Sequence, residues 1–235
     1  MVYDYLTVIC IYFTKFDIIK FNILNIKMLN SIKSNVNEAG IDEAGRGCLM
    51  GPVCTAAVIL PDNFSTELYL EIRDSKKLSR KKRETLRKYI EDVAISWAVD
   101  FAYPSEIDKY NILNATLRSM HRVVEKLHVM PQHLAVDGNR FLTAHSFPPT
   151  DNEDEAISFT LIKGGDDKYR NIAAASILAK TNRDEYVNKL IEETPGFKKY
   201  GWETNMGYGT KKHMEGIHKY GITQYHRLSF KPCQI

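Results

Sequence analysis

A chain of 235 residues with 44% apolar side chains can bury a sizeable core, and fits one ordinary domain with an appendage. Its formal net charge of +3 is too small to identify a nucleic-acid partner, so the distribution of charge must decide that question. Cys10, Cys48, Cys54 and Cys233 form no CxxC pair and no zinc spacing; they read as reduced thiols of a cytosolic protein.

Residues 1–27 are rich in Ile, Phe and Tyr and lack a domain-like turn pattern. Their longest uncharged stretch, Tyr5 to Thr14, is too short to span a bilayer. Asp4 stands where a signal peptide would carry positive charge, and no small-residue cleavage site follows. A membrane-surface anchor is the weaker reading. The stronger is an upstream extension or a mis-called start, with Met28 beginning the working protein and no membrane involved.

From Ala39 strand-like and helix-like segments alternate. Gly40-Ile41 is a short strand followed by Asp42 and Glu43. Val53 to Leu60, between Gly51-Pro52 and Pro61-Asp62, reads as a buried strand. Ser79 to Val93 reads as a basic helix capped by Ser79, and Ile95 to Tyr103 as a strand. Ser105 and Asp108 resemble a capping box, after which Ile112, Leu113, Leu117, Met120, Val123, Val124 and Leu127 recur at helical spacing. His133 to Asp137 and Ser158 to Ile162 are short strands, separated by an acidic, solvated loop at Asp151 to Glu155. A long helix is predicted from Asn171 to Glu193, stopping at Thr194-Pro195-Gly196. Its Ala173, Ala174, Ala175 and Ala179 suit close packing on a sheet. A last helix runs from Thr210 to Gly221. This order predicts an α/β domain with a mixed central sheet flanked by helices, and a helical C-terminal subdomain or flap. The expected division is an extension at 1–27, a catalytic domain at 28–196 and a C-terminal segment at 197–235.

Asp42, Glu43, Asp137 and Asp166 fall at strand ends or a helix start. Such acids can converge at one sheet edge and hold hard divalent cations. Two cations ~4 Å apart could stabilise both the attacking and the leaving oxygen of a phosphoryl transfer. Taken singly, each acid is better read as a cap or turn former: Asp166 could cap the long helix, and Asp137-Gly138 is a common turn pair.

Six ordered motifs carry a resemblance. Gly40-Ile41-Asp42-Glu43-Ala44-Gly45-Arg46-Gly47 is followed by Gly51-Pro52-Val53, then Asp74-Ser75-Lys76-Lys77-Leu78 and Val136-Asp137-Gly138-Asn139. Ala173-Ala174-Ala175-Ser176-Ile177-Leu178-Ala179-Lys180, Gly207-Tyr208-Gly209-Thr210 and His226-Arg227-Leu228-Ser229-Phe230 complete the series. The stretch from Ala39 to about Phe230 resembles ribonuclease HII. The resemblance implies a ribonuclease H-like fold and a four-carboxylate site for Mg2+ or Mn2+. It implies an endonuclease that cuts 5′ of ribonucleotides in RNA–DNA hybrids and of single ribonucleotides in duplex DNA, leaving 3′-hydroxyl and 5′-phosphate ends.

Asp42, Glu43 and Asp137 correspond directly to family ligands. Where the family usually reads Lys-Gly-Asp, this chain has Lys163-Gly164-Gly165-Asp166-Asp167, and counting back from Ser176 selects Asp166 over Asp167. Asp184 lies inside the long helix and reads as structural. The resemblance assigns Gly45, Arg46 and Gly47 to the ribose 2′-hydroxyl, the group that distinguishes RNA from DNA. It assigns Tyr208 to the neighbouring sugar, although Asn205-Met206 replaces the commoner His-Lys before it. Lys76 and Lys77 are expected to contact phosphate. Arg80, Lys81, Lys82 and Arg83, and the C-terminal set Lys198, Lys199, Lys211, Lys212, Lys219 and Arg227, fit a solvated face as well as a phosphate-binding one. A cytoplasmic monomer is expected. The alternatives are a ribonuclease HIII-like enzyme and a binding module without catalysis. Gly-Arg-Gly in place of Gly-Thr-Gly, and an N-terminal stretch too short for a substrate-binding domain, disfavour the first. Retention of all four acids disfavours the second.

Overall fold

The computed structural model describes residues 28–33, 35–62, 66–141 and 157–234. The extension at 1–27, with Cys10, and the acidic loop Asp151 to Glu155 lie outside the described residues. Five strands form one sheet: β1 (Glu38–Ala44), β2 (Val53–Ile59), β3 (Ser96–Ala102), β4 (His133–Asp137) and β5 (Ser158–Ile162). Their order is β3-β2-β1-β4-β5. β1, β2 and β3 pair antiparallel, whereas β4 is parallel to both β1 and β5. The helices are α1 (Glu67–Leu70), α2 (Arg80–Val93), α3 (Pro104–Glu125), α4 (Arg170–Glu193), α5 (Trp202–Asn205) and α6 (Lys211–Tyr220). This is the mixed, helix-flanked α/β sheet that the order of segments predicts.

Both sheet faces are covered at β2, which explains why it is buried throughout, and apolar but for Thr55, rather than alternating. Cys54, Ala56 and Val58 face α4 and α2, while Ala57 and Ile59 face α3. The alanine face of α4 is fully buried, as its small residues predict. α4 meets β1 backbone to backbone: a Cβ on Gly40 would lie 2.2 Å from the carbonyl carbon of Asn171. Only glycine permits that approach.

Two local expectations are corrected. β1 is longer than Gly40-Ile41, because its ladder with β2 continues through Ala44↔Cys54; Asp42 and Glu43 therefore lie within the strand. Ser105 and Asp108 form no capping box. Pro104 occupies the first turn of α3 and Tyr103 precedes it, so Ser105 is already helical. Asp108 instead accepts hydrogen bonds from Leu228 N, Ser229 N and Ser229 Oγ, fastening the C-terminal segment. α3 is interrupted at Asn111, whose φ is 65°, and restarts with the Asn111 side chain accepting from Asn114 N.

Ser79, the predicted cap, accepts from Lys82 N, and Thr210, at the predicted start of the last helix, caps α6 by accepting from His213 N. After α4 the chain turns through Pro195–Tyr200. Tyr200, Trp202, Ile217 and Cys233 then bury against Leu49, Met50 and the end of α4 at Val187, Leu190 and Ile191. Cys48, Cys54 and Cys233 are buried free thiols. No described helix is long and apolar enough to cross a membrane.

Candidate active site

Parallel pairing of β1 with β4 aligns Ile41 with Val136, so the next residue on each strand, Asp42 and Asp137, stand side by side. Asp42 lies on the α4 face and is buried; it receives a hydrogen bond from Ser176 of α4 and one of 2.7 Å from Glu43 N. Ser176 Oγ is in turn 3.0 Å from Ser75 Oγ, which ties the Asp74-Ser75-Lys76 turn to α4 beside Asp42. Ser75 and Ser176 lie inside two of the sequence motifs, but a small hydroxyl carries no signal of this role by residue type.

Asp166 follows β5. Gly164 takes a left-handed conformation with φ 65°, and Gly165 N donates to Asp137 Oδ1 at 2.7 Å. A Cβ on Gly165 would lie 2.6 Å from Ile172 Cδ1, so the turn packs tightly on that side chain. The turn delivers Asp166 inward, with 8% of its side chain exposed, and leaves the Asp167 side chain 49% exposed. Lys76 Nζ reaches Asp166 at 3.4 Å, whereas Lys77 pairs with Asp167. Asp184 binds Lys180 and faces Arg83, as its structural reading requires.

The electrostatics favour cations. Burial, followed by the charges of Glu43 and Asp137, raises the Asp42 carboxyl well above its usual range. Burial also raises Glu43, against the pull of Arg46, 3.2 Å away. Asp166 is raised by burial first; Lys76 opposes the shift, and Asp74 and Asp137 add to it. Among the described residues, Arg46 and Lys76 are the cations that pull these crowded carboxyls back down. As the side chains stand, no three described His, Cys, Asp or Glu groups converge on one metal position. Asp137 and Asp166 are engaged by Gly165 N and Lys76 instead. The donor set, all oxygen and excess in negative charge, nevertheless fits hard divalent ions.

Beside the acids lies the Gly45–Gly47 loop. A Cβ on Gly45 (φ +91°) would fall 1.9 Å from Arg183 Nε, so the loop is wrapped directly on that side chain. Arg183 is fully buried and donates to the carbonyls of Pro52, Met206 and Met50 at 3.1, 2.8 and 3.1 Å. Arg227 is equally buried and donates to those of Gly51, Arg46 and Gly45 at 3.0, 2.8 and 2.8 Å. This corrects the grouping of Arg227 with surface cations. Three of its five donors bind carbonyls, and its complete burial keeps the guanidinium out of reach of a phosphate in solvent. A trans peptide sets its N–H opposite its C=O, so the amides of Arg46 and Gly47 point away from Arg227.

Tyr208 is 44% exposed, and a Cβ on Gly47 would touch its ring edge at 3.9 Å. Lys180 Nζ lies 6.0 Å from the ring centre. Asn205, where the family pattern has His, builds the turn: its Oδ1 accepts from Gly207 N and its Nδ2 donates to Tyr200 O. Of the remaining cations, Arg80 pairs with Glu84, Lys82 with Glu71 and Lys212 with Glu203.

The family model described as Ribonuclease HII matches residues 39–233. A ribonuclease HII of Bacteroides fragilis is 53% identical over 186 residues, covering 79% of this chain and 85% of that protein. The crystal structure of ribonuclease H2 from Pyrococcus horikoshii is 25% identical, with a TM-score of 0.67, and covers 84% of this chain and 95% of that one. The structure of Bst ribonuclease HIII in complex with Mn2+ is 20% identical, with a TM-score of 0.62 over 89% of this chain and 70% of that one. The sheet and its helices are therefore a ribonuclease H-like fold.

Proposed function

Because the chain belongs to the ribonuclease HII family and is an endoribonuclease of the ribonuclease H class, we propose that it hydrolyses the phosphodiester 5′ of ribonucleotides. Its substrates are RNA–DNA hybrids and duplex DNA holding single ribonucleotides, and its role is to remove ribonucleotides from DNA. The observation that carries this reading is the adjacency of Asp42 and Asp137 on parallel strands, beside Tyr208 and the Gly45–Gly47 loop. Residues 28–196 serve as the catalytic unit, and 197–235 bring Tyr208 to the substrate.

Asp42, Glu43, Asp137 and Asp166 would hold Mg2+ or Mn2+. Such ions, when bound, activate water and neutralise charge on the leaving oxygen. The chain's own residues position the substrate. The outward amides of Arg46 and Gly47 offer donors to the ribose 2′-hydroxyl, and glycine on either side of Arg46 lets the sugar come close. The exposed Tyr208 ring packs on the adjoining sugar. Lys76, largely exposed although it touches Asp166, can turn to a phosphate, as can Lys77. The family model and the curated relative at 53% identity are ribonuclease HII, which favours that reading over a ribonuclease HIII-like enzyme or a binding module without catalysis. The protein is taken to act as a cytoplasmic monomer, which gel filtration and localisation would check.

The test is cleavage of a DNA duplex holding one ribonucleotide, alongside an RNA–DNA hybrid, with Mg2+, with Mn2+ and with chelator. Metal-dependent products ending in 3′-hydroxyl and 5′-phosphate are expected. A 2′,3′-cyclic phosphate would overturn the reading, because it requires the 2′-hydroxyl as nucleophile.

A further inference from the structure

The motif beginning at His226 does not enter the chemistry above, and its histidine is 1% exposed. His226 and the fully buried His213 form a chain of hydrogen bonds whose direction is fixed at both ends. Thr223 N, which can only donate, lies 2.8 Å from His226 Nδ1, so Nδ1 accepts and the neutral ring carries its proton on Nε2. That Nε2 lies 3.2 Å from His213 Nε2. The indole Trp202 Nε1, also donor only, lies 3.0 Å from the same His213 nitrogen. His213 Nε2 therefore accepts, its single lone pair shared between the Trp202 and His226 N–H groups; its proton sits on Nδ1, and Nδ1 donates to the carbonyl oxygen of Tyr208 at 3.0 Å. The tautomers follow from obligate donors at each end, not from a choice between equal options.

The surroundings keep both rings neutral. Tyr200 stacks on Trp202 at 5.0 Å and meets His226 edge-on at 5.3 Å. Burial lowers both imidazoles below their usual range. Protonating either ring would place two donors face to face between His213 and His226, or oppose the Trp202 or Thr223 N–H. Neutral rings and a fixed relay are thus the same condition.

We propose that His213 and His226 are positioning residues for the cleavage reaction, holding the Tyr208 backbone so that its ring meets the substrate sugar. Neither touches substrate; His213 acts through the Tyr208 carbonyl and His226 through His213. This rests on the reading that Tyr208 packs against the sugar. The carbonyl also accepts from Thr210 N, at the cap of α6, at 2.8 Å. His213, within the first turn of α6, gives the same oxygen a second donor.

The experiment compares single-turnover cleavage of a duplex holding one ribonucleotide, at saturating enzyme, for His213→Asn, His213→Gln and His213→Leu, each with and without Tyr208→Ala. The amide nitrogen of Asn can stand where Nδ1 stands, so His213→Asn recovers most of the rate. The amide of Gln reaches only the Nε2 position, so His213→Gln loses roughly tenfold, within the hundredfold that misplacement of a reacting group can bring. In the Tyr208→Ala background the further loss from Gln or Leu vanishes, because the ring it positions is gone. If Leu fails to fold, the Asn–Gln comparison decides alone. Equal rates for Asn and Gln, or a Gln loss that persists undiminished beside Tyr208→Ala, would overturn the relay while leaving the role of Tyr208 intact. A wild-type rate for Tyr208→Ala alone would overturn the sugar-packing reading and the relay with it.

Discussion

Arg227 Nη2 donates to the carbonyl oxygen of Gly45 at 2.8 Å, joining two residues 182 positions apart in a fully buried contact. No carboxylate forms an ion pair with Arg227 among the described residues. Burial brings this guanidinium down to about 10, against the weaker pull of Cys48. A charge is kept there because three carbonyls of the 45–51 loop need a donor at once. Lysine cannot fork in this way. Arg227→Lys is expected to strand at least one buried carbonyl and to lower stability by about 1–3 kcal/mol. Urea unfolding measures this; a variant within 0.5 kcal/mol (roughly the range of an ordinary surface change) would show that the loop holds without the fork.

Asp42→Asn, Glu43→Gln, Asp137→Asn and Asp166→Asn should each reduce cleavage by orders of magnitude while the protein still folds. Each keeps shape and removes the charge that would attract a cation. Asp167→Asn should stay near the wild-type rate, because Asp167 points to Lys77 and solvent. The reverse pattern at 166 and 167, read in the same cleavage assay, would reassign the fourth ligand.

Acid should weaken the protein at His226. Burial, and secondarily His213, depress it from 6.5 to about 4. The unfolded chain therefore binds a proton between those values that the folded chain refuses. Stability present above pH 6.5 is lost progressively as pH falls toward 4, by up to roughly 3 kcal/mol. Asp42, Glu43 and Asp166 have raised values and act with the opposite sign, gaining stability as pH falls. The difference between wild type and His226→Gln isolates the histidine. In chelator, urea unfolding at pH 7 and pH 4.5 should show a smaller acid loss for the variant; parallel profiles would contradict the assignment.

A chain beginning at Met28 should fold and cut as the full chain does. One beginning at Ala39 should not. Leu29 N donates to Lys168 O, and Arg170 N donates to Leu29 O, across a short parallel bridge. Asn30 accepts from the buried Arg170, and Glu38 accepts from Ile32 N and Lys33 N. Losing these should lower stability by roughly 2 kcal/mol or more, at about 1 kcal/mol for each hydrogen bond. Thermal melts of the two truncated chains would check it.

What the sequence alone determined was local or periodic. Apolar runs and the 3.6-residue repeat gave β2, β3, α3 and α4, and Ser79, Thr210 and Pro195 punctuated the helices, because propensity and capping act within a few residues. The alanines of α4 announced a close helix–sheet contact, and the structure added Gly40 as its other half. Ordered motifs supplied the family and its acids. Tertiary structure alone decided what depends on partners far apart in the chain. It set Asp42 beside Asp137 through parallel pairing, and turned Asp166 rather than Asp167 inward through the Gly164-Gly165 turn. It gave Asp108 the C-terminal segment instead of a helix cap. It also buried Arg183 and Arg227, which look like surface cations by residue type. The carbonyls they satisfy belong to loops more than a hundred residues away for all but one of their bonds, and no local pattern encodes such a pairing.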